Sequence, residues 1–196
     1  MERSRVLARF EESAALKRAF AEAHAGAVER AAGMLADCFR AGGRVLLFGN
    51  GGSAADAQHI AAEWCGRFRR EREGLPALAL TANSSDLTAI ANDYGFERVF
   101  ARLVEAHGRA GDVAIAISTS GSSPNVLAGV DEARVRGLRT LGLTGKGGGK
   151  LAGRVDVAFV VPSDETERIQ EVHITLLHVL CELVDETLLG APGAGP

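Results

Sequence analysis

Two pairs of polar side chains stand at helical spacings that can build one site. His59 and Glu63 are four residues apart and share a face of one helix. Gln170 and His178 are eight apart in an otherwise apolar run, roughly 80° apart about a helix axis. Any one of these would be an ordinary satisfied or solvated side chain. Together, one pair beside a glycine turn and the other in an apolar helix, they are a less ordinary coincidence and form the ionisable candidates of the chain. His24 and His107 read as ordinary satisfied or solvated side chains, and His173, flanked by Val172 and Ile174, reads as structural.

Two loops could hold what such a site acts on. In Gly49-Asn50-Gly51-Gly52-Ser53 the glycines permit a tight turn and leave backbone amides without side-chain cover. A strand, a glycine turn and a helix N-terminus suit an anionic or polyhydroxyl ligand. The second loop, Ser118-Thr119-Ser120-Gly121-Ser122-Ser123, carries five hydroxyls before Pro124, which is well placed as the first helical residue. Hydroxyls, glycine and a helix N-terminus suit a phosphate monoester without any lysine.

The elements that position these loops alternate. Apolar segments at 44–48, 77–81, 112–117, 139–143 and 155–161 read as strands. Helical patterns fall at 54–68 (with Ser53 as N-cap), at 86–92 with 98–107, at 124–136 and at 165–189, with a single helical turn at 150–153. Apolar strands alternating with helices predict a doubly wound parallel sheet, so both loops fall where open α/β sheets bind ligands. Residues 1–41 carry two helical stripes separated by Gly26, predicting a hairpin or one bent helix ahead of a core at 42–189. The Gly/Pro-rich tail at 190–196 predicts disorder, and the whole chain reads as one domain. The last helix is apolar nearly all round, which predicts burial on a second side by another subunit and hence a homo-oligomer.

Composition narrows the function. The chain has 196 residues, a net charge of −3 and 46% hydrophobic residues, with no pattern that favours nucleic acid or an acidic membrane as partner. No apolar run approaches the ~20 residues of a bilayer span. Three widely separated cysteines (Cys38, Cys65, Cys181) read as free thiols in a reducing cytoplasm. Gly49-x-Gly51-x-x-Ala54 matches the dinucleotide fingerprint loosely, but Thr81-Ala82-Asn83 stands where a ribose-binding acid belongs. Gly145-Lys146 lacks the remainder of a P-loop. Neither NAD nor ATP is favoured.

These motifs resemble the sugar-isomerase (SIS) domain family, and within it the bacterial phosphoheptose isomerases. The residues that carry the likeness are Gly49–Ser53, Ser118–Ser123, Asn92-Asp93-Tyr94-Gly95-Phe96, Leu143-Thr144-Gly145-Lys146 and Arg168-Ile169-Gln170-Glu171-Val172-His173, spanning about 44–186. The resemblance implies a five-stranded, flavodoxin-like parallel sheet flanked by helices, and a tetramer with intersubunit sites. It implies conversion of D-sedoheptulose 7-phosphate to D-glycero-D-manno-heptose 7-phosphate, the entry to heptose for cell-surface glycans. Carried onto this chain, Asn50, Gly51, Gly52, Ser53, Asn92 and Asp93 would contact the sugar. Ser118, Thr119, Ser120 and Ser123 would hold the phosphate. His59, Glu63, Gln170 and His178 would bind Zn2+, with Glu63 and Gln170 also touching substrate. Glu167 departs from the Asp frequent in the family.

Ketose–aldose isomerisation passes through an enediol(ate), so one group must take a proton from carbon and another must handle the oxygen proton. Glu63 and His178 are the expected base and acid/base partner. Zinc could alternatively polarise the carbonyl. The rival reading is a non-catalytic SIS tetramer that binds the replication initiator DnaA, a role that needs no acid/base pair.

Overall fold

Five apolar segments set the architecture. The computed structural model describes residues 3–190, and of Arg3 only the backbone. In it β1 (Val45–Gly49), β2 (Ala77–Ala79), β3 (Val113–Ser118), β4 (Arg139–Thr144) and β5 (Val157–Val160) form one parallel sheet, in the order β2-β1-β3-β4-β5. Every residue of β1 and β3 is buried, as a parallel sheet covered on both faces requires.

The helices are α1 (Arg3–Arg40), α2 (Gly52–Cys65), α3 (Ser84–Tyr94), α4 (Val99–His107), α5 (Pro124–Val135) and α6 (Thr166–Leu189). Strand alternation divides the core between them. Val45, Leu47, Ile115, Ile117, Leu141 and Leu143 pack with residues of α1, α2 and α6. Leu46, Phe48, Ala114 and Ala116 point the other way and pack with α4 and α5. Each fully buried Leu, Ile or Phe of this kind contributes about 1.5–3 kcal/mol. The five-stranded, doubly wound parallel fold expected from the sequence is the one observed.

Of the two readings of residues 1–41, the single helix is the one observed: α1 is continuous through Gly26 over 38 residues, with no hairpin. An interior glycine costs only about 1 kcal/mol, which the stripe of Phe20, Val28, Ala31, Ala32 and Leu35 packed in the core outweighs. The helical turn expected at 150–153 is instead a 3-10 turn at Lys146–Gly148. Within the chain α1 lies along α6 while α2 and β4 hold other sides, yet Val179 of α6 stays 39% exposed beside an apolar groove lined by Phe20, Val28 and Leu176.

Cys38, Cys65 and Cys181 are free. Among the described residues no helix is long and apolar enough to cross a membrane. The tail expected to be disordered lies, from residue 191 onward, outside the described residues.

Candidate functional site

Strand order reverses between β1 and β3, so the loops that follow these two strands emerge side by side at the C-terminal edge of the sheet. A reciprocal amide pair joins them. Asn50 Nδ2 donates to Asn125 Oδ1 and Asn125 Nδ2 donates to Asn50 Oδ1, both at 2.9 Å. Gly51 holds φ 56°, a conformation that L side chains rarely adopt, and it occupies the N-cap of α2. The N-cap expected at Ser53 is therefore two residues late; Ser53 is buried in the first turn. The backbone N–H groups of Ser53 and Ala54 turn back on the carbonyls of Asn50 and Gly51, at 3.1 Å each.

The hydroxyl loop is held from behind. Gly145 N–H donates to the Thr119 carbonyl (3.1 Å) and Leu151 N–H to the Gly121 carbonyl (2.9 Å). Ser123 is the N-cap of α5 with Pro124 following, as expected, but its hydroxyl makes no cap bond. It lies 3.1 Å from Ser118 Oγ instead, while Ser120 Oγ accepts from Ser122 N–H at 3.2 Å. Hydroxyls gathered at a helix start without a side-chain cap are the donors that a phosphate group needs.

The ionisable pairs meet along the seam between α2 and α6. Gly52, His59 and Glu63 follow one another at seven and four residues, one face of α2. Gln170 sits against Gly52, where a Cβ would come within 3.1 Å of the Gln170 Cδ. Two turns further, the His178 ring meets the His59 ring edge-on, centroids 5.0 Å apart. His59 Nε2 donates to Glu63 Oε1 at 3.2 Å. Phe68 stacks on His178, with centroids 5.7 Å apart and planes 20° apart. Partial burial, then the neighbouring His59, pushes the His178 imidazole below its ordinary value, with Glu63 opposing the shift. Its neutral form is therefore the one present near pH 7.

Ligand atoms of His59, Glu63 and His178 all lie within 4.8 Å of one another. Two imidazoles and a carboxylate make the donor set of a three-residue zinc centre with an open position, so these residues fit a metal. The amide of Gln170 is the weaker donor and lies nearer the glycine turn.

Asn92 and Asp93 are not drawn into this seam. They are exposed at the end of α3, where Asn92 Nδ2 donates to Asp93 Oδ1 at 2.8 Å. Among the described residues no hydrogen bond ties either side chain to the two loops. Glu167 is exposed in the first turn of α6.

His173 is structural, as expected. It is fully buried, and its Nε2 donates to the Thr144 carbonyl at 3.2 Å. Burial pushes the imidazole down to about 4, against an unfolded value near 6.5. The unfolded chain therefore binds more protons between these two values. The stability from neutral His173 is complete above about pH 6.5 and is lost as pH falls toward 4, by about 3 kcal/mol in all. In urea unfolding at several pH values, His173→Gln should remove this part of the acid sensitivity. Parallel pH slopes for the two proteins would disprove it.

Sequence reasoning gave no role to Asn125, Phe68 or Arg72. Asn125 stood directly after the hydroxyl loop, and the complementary amide at Asn50 was its available signal. Phe68 closes the helical pattern expected at 54–68, but α2 ends at Cys65, so Phe68 and Arg72 both lie in the charge-rich connection that follows, and no spacing rule points from them to α6.

Residues 10–145 match the SIS domain family. The chain is 57% identical over 183 residues to a phosphoheptose isomerase from Roseiflexus sp. (strain RS-1), covering 93% of each chain. It is 58% identical over 177 residues to one from Aquifex aeolicus (strain VF5), covering 90% of this chain and 93% of that relative. Among solved structures, phosphoheptose isomerase GmhA from Neisseria gonorrhoeae superposes with a TM-score of 0.88 at 46% identity, over 93% of this chain and 98% of that one. A phosphoheptose isomerase from Francisella tularensis gives 0.89 at 38% identity, over 93% and 97%.

Proposed function

The chain belongs to the SIS domain family, and on that footing we propose that it is an aldose–ketose isomerase converting D-sedoheptulose 7-phosphate to D-glycero-D-manno-heptose 7-phosphate. This would be the first step of nucleotide-activated heptose biosynthesis, carried out in the cytoplasm. The observation that carries the reading is the apposition of Glu63 and His178 on the α2–α6 seam, the same seam along which Gln170 meets Gly52 of the glycine turn.

In this reading Ser118, Thr119, Ser120 and Ser123 hold the phosphate at the start of α5. Asn50, Gly51, Gly52 and Ser53, with Gln170, orient the sugar hydroxyls. Asn92 and Asp93 reach further hydroxyls. Glu63 takes the proton from the carbon beside the carbonyl and returns it to the neighbouring carbon. His178, neutral near pH 7, has one nitrogen to donate and one to accept, so it moves the proton between the two oxygens of the enediol(ate). Phe68, stacked on His178, restricts the ring's orientation. Alternatively, His59, Glu63, Gln170 and His178 would hold Zn2+, which would supply Lewis-acid polarisation of the carbonyl in place of the free acid/base pair.

The reading includes a homotetramer with sites between subunits. Val6, Leu7 and Phe10 are exposed on the first turns of α1, Phe10 at 74%, and Tyr94 and Phe96 are exposed beside Asn92 and Asp93. Such surfaces suit contact with further copies.

The test is to incubate the purified protein with sedoheptulose 7-phosphate in D2O and follow it by NMR. Aldose should appear with solvent deuterium at the carbon that exchanged its proton, and no aldose would refute the function. Repeating the assay after chelation and after adding back Zn2+ tests the metal. Full turnover after chelation would remove zinc from the reaction.

A further inference from the structure

The connection after α2 reads Arg67-Phe68-Arg69-Arg70-Glu71-Arg72-Glu73, and most of its charges face solvent. Arg72 does not. Its side chain is 4% exposed and pairs with Asp185, 3% exposed, through Nε to Oδ1 at 2.7 Å. The rest of the guanidinium is spent on backbone. Nη1 donates to the carbonyls of Trp64 (2.9 Å), Gly66 (3.2 Å) and Glu73 (3.1 Å), and Nη2 donates to the carbonyl of Glu63 (3.1 Å).

A helix leaves its last carbonyls without intrahelical partners, and a cation is favoured there. Arg72 supplies both needs at the end of α2, on the residue whose carboxylate faces His178. Asp185 lies on α6 seven residues after His178, two turns along and on nearly the same face. One ion pair thus ties the turn that carries Glu63 to the helix that carries His178. The second oxygen of Asp185 is buried with no hydrogen-bond partner among the described residues. An ion pair left partly unsatisfied is poorly suited to adding stability, which points to geometry as its use.

We infer that Arg72 and Asp185 are positioning residues for the isomerisation, a strut that sets the separation of the Glu63 carboxylate and the His178 imidazole. The inference rests on the base and acid/base roles given above. A planar fork that meets a carboxylate and four carbonyls at once has no equivalent in lysine, whose ammonium offers one point charge. Neither strut residue is part of the hydroxyl loop or the glycine turn, so substrate affinity should be spared.

The experiment compares wild type, Arg72→Lys, Glu63→Gln and the double variant, measuring kcat and KM for sedoheptulose 7-phosphate with circular dichroism as the check of folding. Arg72→Lys should lower kcat by about 10²-fold, the cost of a small misplacement of reacting groups. KM should stay within about twofold, because ground-state binding is not the affected step. Added to Glu63→Gln, the same substitution should lower the residual rate little further. In Arg72→Ala, millimolar guanidinium ion should restore part of the lost kcat. Where Arg72→Lys fails to fold, Asp185→Asn, which keeps an oxygen for Nε in the same volume, gives the same readout. A folded Arg72→Lys enzyme with unchanged kcat beside an inactive Glu63→Gln overturns the strut alone. An equal loss from Arg72→Lys in both backgrounds also overturns it, since that marks a general structural effect. A fully active Glu63→Gln enzyme overturns the base assignment, and the positioning role falls with it.

Discussion

Glu63→Gln is expected to lower kcat by a factor of about 10²–10⁴, or about 3–5 kcal/mol of transition-state stabilisation, while KM changes by about twofold or less. The substitution is close to isosteric. Gln keeps an oxygen that can accept from His59 Nε2, now 3.2 Å from Glu63 Oε1, so the geometry of the α2 face should persist. What disappears is the basic lone pair that takes a proton from carbon. Because Glu63 is also in the metal-ligand group with His59 and His178, zinc content should be measured alongside kinetics. Loss of kcat at unchanged zinc content identifies the proton step. Loss of exchange between substrate and solvent deuterium would locate it at the carbon acid. Near-normal turnover in Glu63→Gln would mean that another group is the base.

The parts of this site legible in the sequence are those set by local backbone chemistry. Glycines at 49, 51 and 52 and the hydroxyl run at 118–123 announce turns after strands, and parallel topology then puts both at one edge of the sheet. The four-residue spacing of His59 and Glu63 fixes a shared face without any tertiary knowledge. That His178 would be the ring meeting them depended on how α6 packs on α2, and helical periodicity does not encode that; the family resemblance supplied it. The N-cap at Gly51 was missed because serine is the better capping residue on average, whereas here three glycines let the chain turn earlier and bury Ser53. The choice between a hairpin and one helix over residues 1–41 stayed open for a related reason, since it is decided by long-range packing on α6 that overrides a local penalty. Arg72 was hidden most completely. A charged residue in a charged run reads as solvated, and only the pairing with Asp185, 113 residues away, makes it an interior group.

Gly121→Ala should damage the phosphate-holding loop, and the reason lies in the backbone. Gly121 is buried at φ 61°, and a Cβ there would lie 2.7 Å from both the Gly148 carbonyl carbon and Thr144 Oγ1, nearer still to the Gly148 oxygen. Backbone cannot swing aside as a flexible side chain would. The Gly121 carbonyl also receives Leu151 N–H, and its own N–H donates to the Ser118 carbonyl at 2.9 Å. Relief of the clash must therefore move the hydroxyl loop or the 145–149 turn behind it. Backbone strain and overpacking each cost about 1–3 kcal/mol, so a stability loss of about 3 kcal/mol or more is expected in urea unfolding. If the loop binds phosphate, KM should also rise by about tenfold or more, equivalent to about 1.4 kcal/mol of lost binding. Gly51→Ala is the internal control. Gly51 has a similar φ of 56°, but nothing lies within 4 Å of its Cβ position, so only the strain of about 1–3 kcal/mol should appear. Stability losses of equal size in the two variants would mean that the loop yields easily. A Gly121→Ala enzyme that is destabilised yet keeps its KM would show that the hydroxyls of 118–123 do not hold the phosphate.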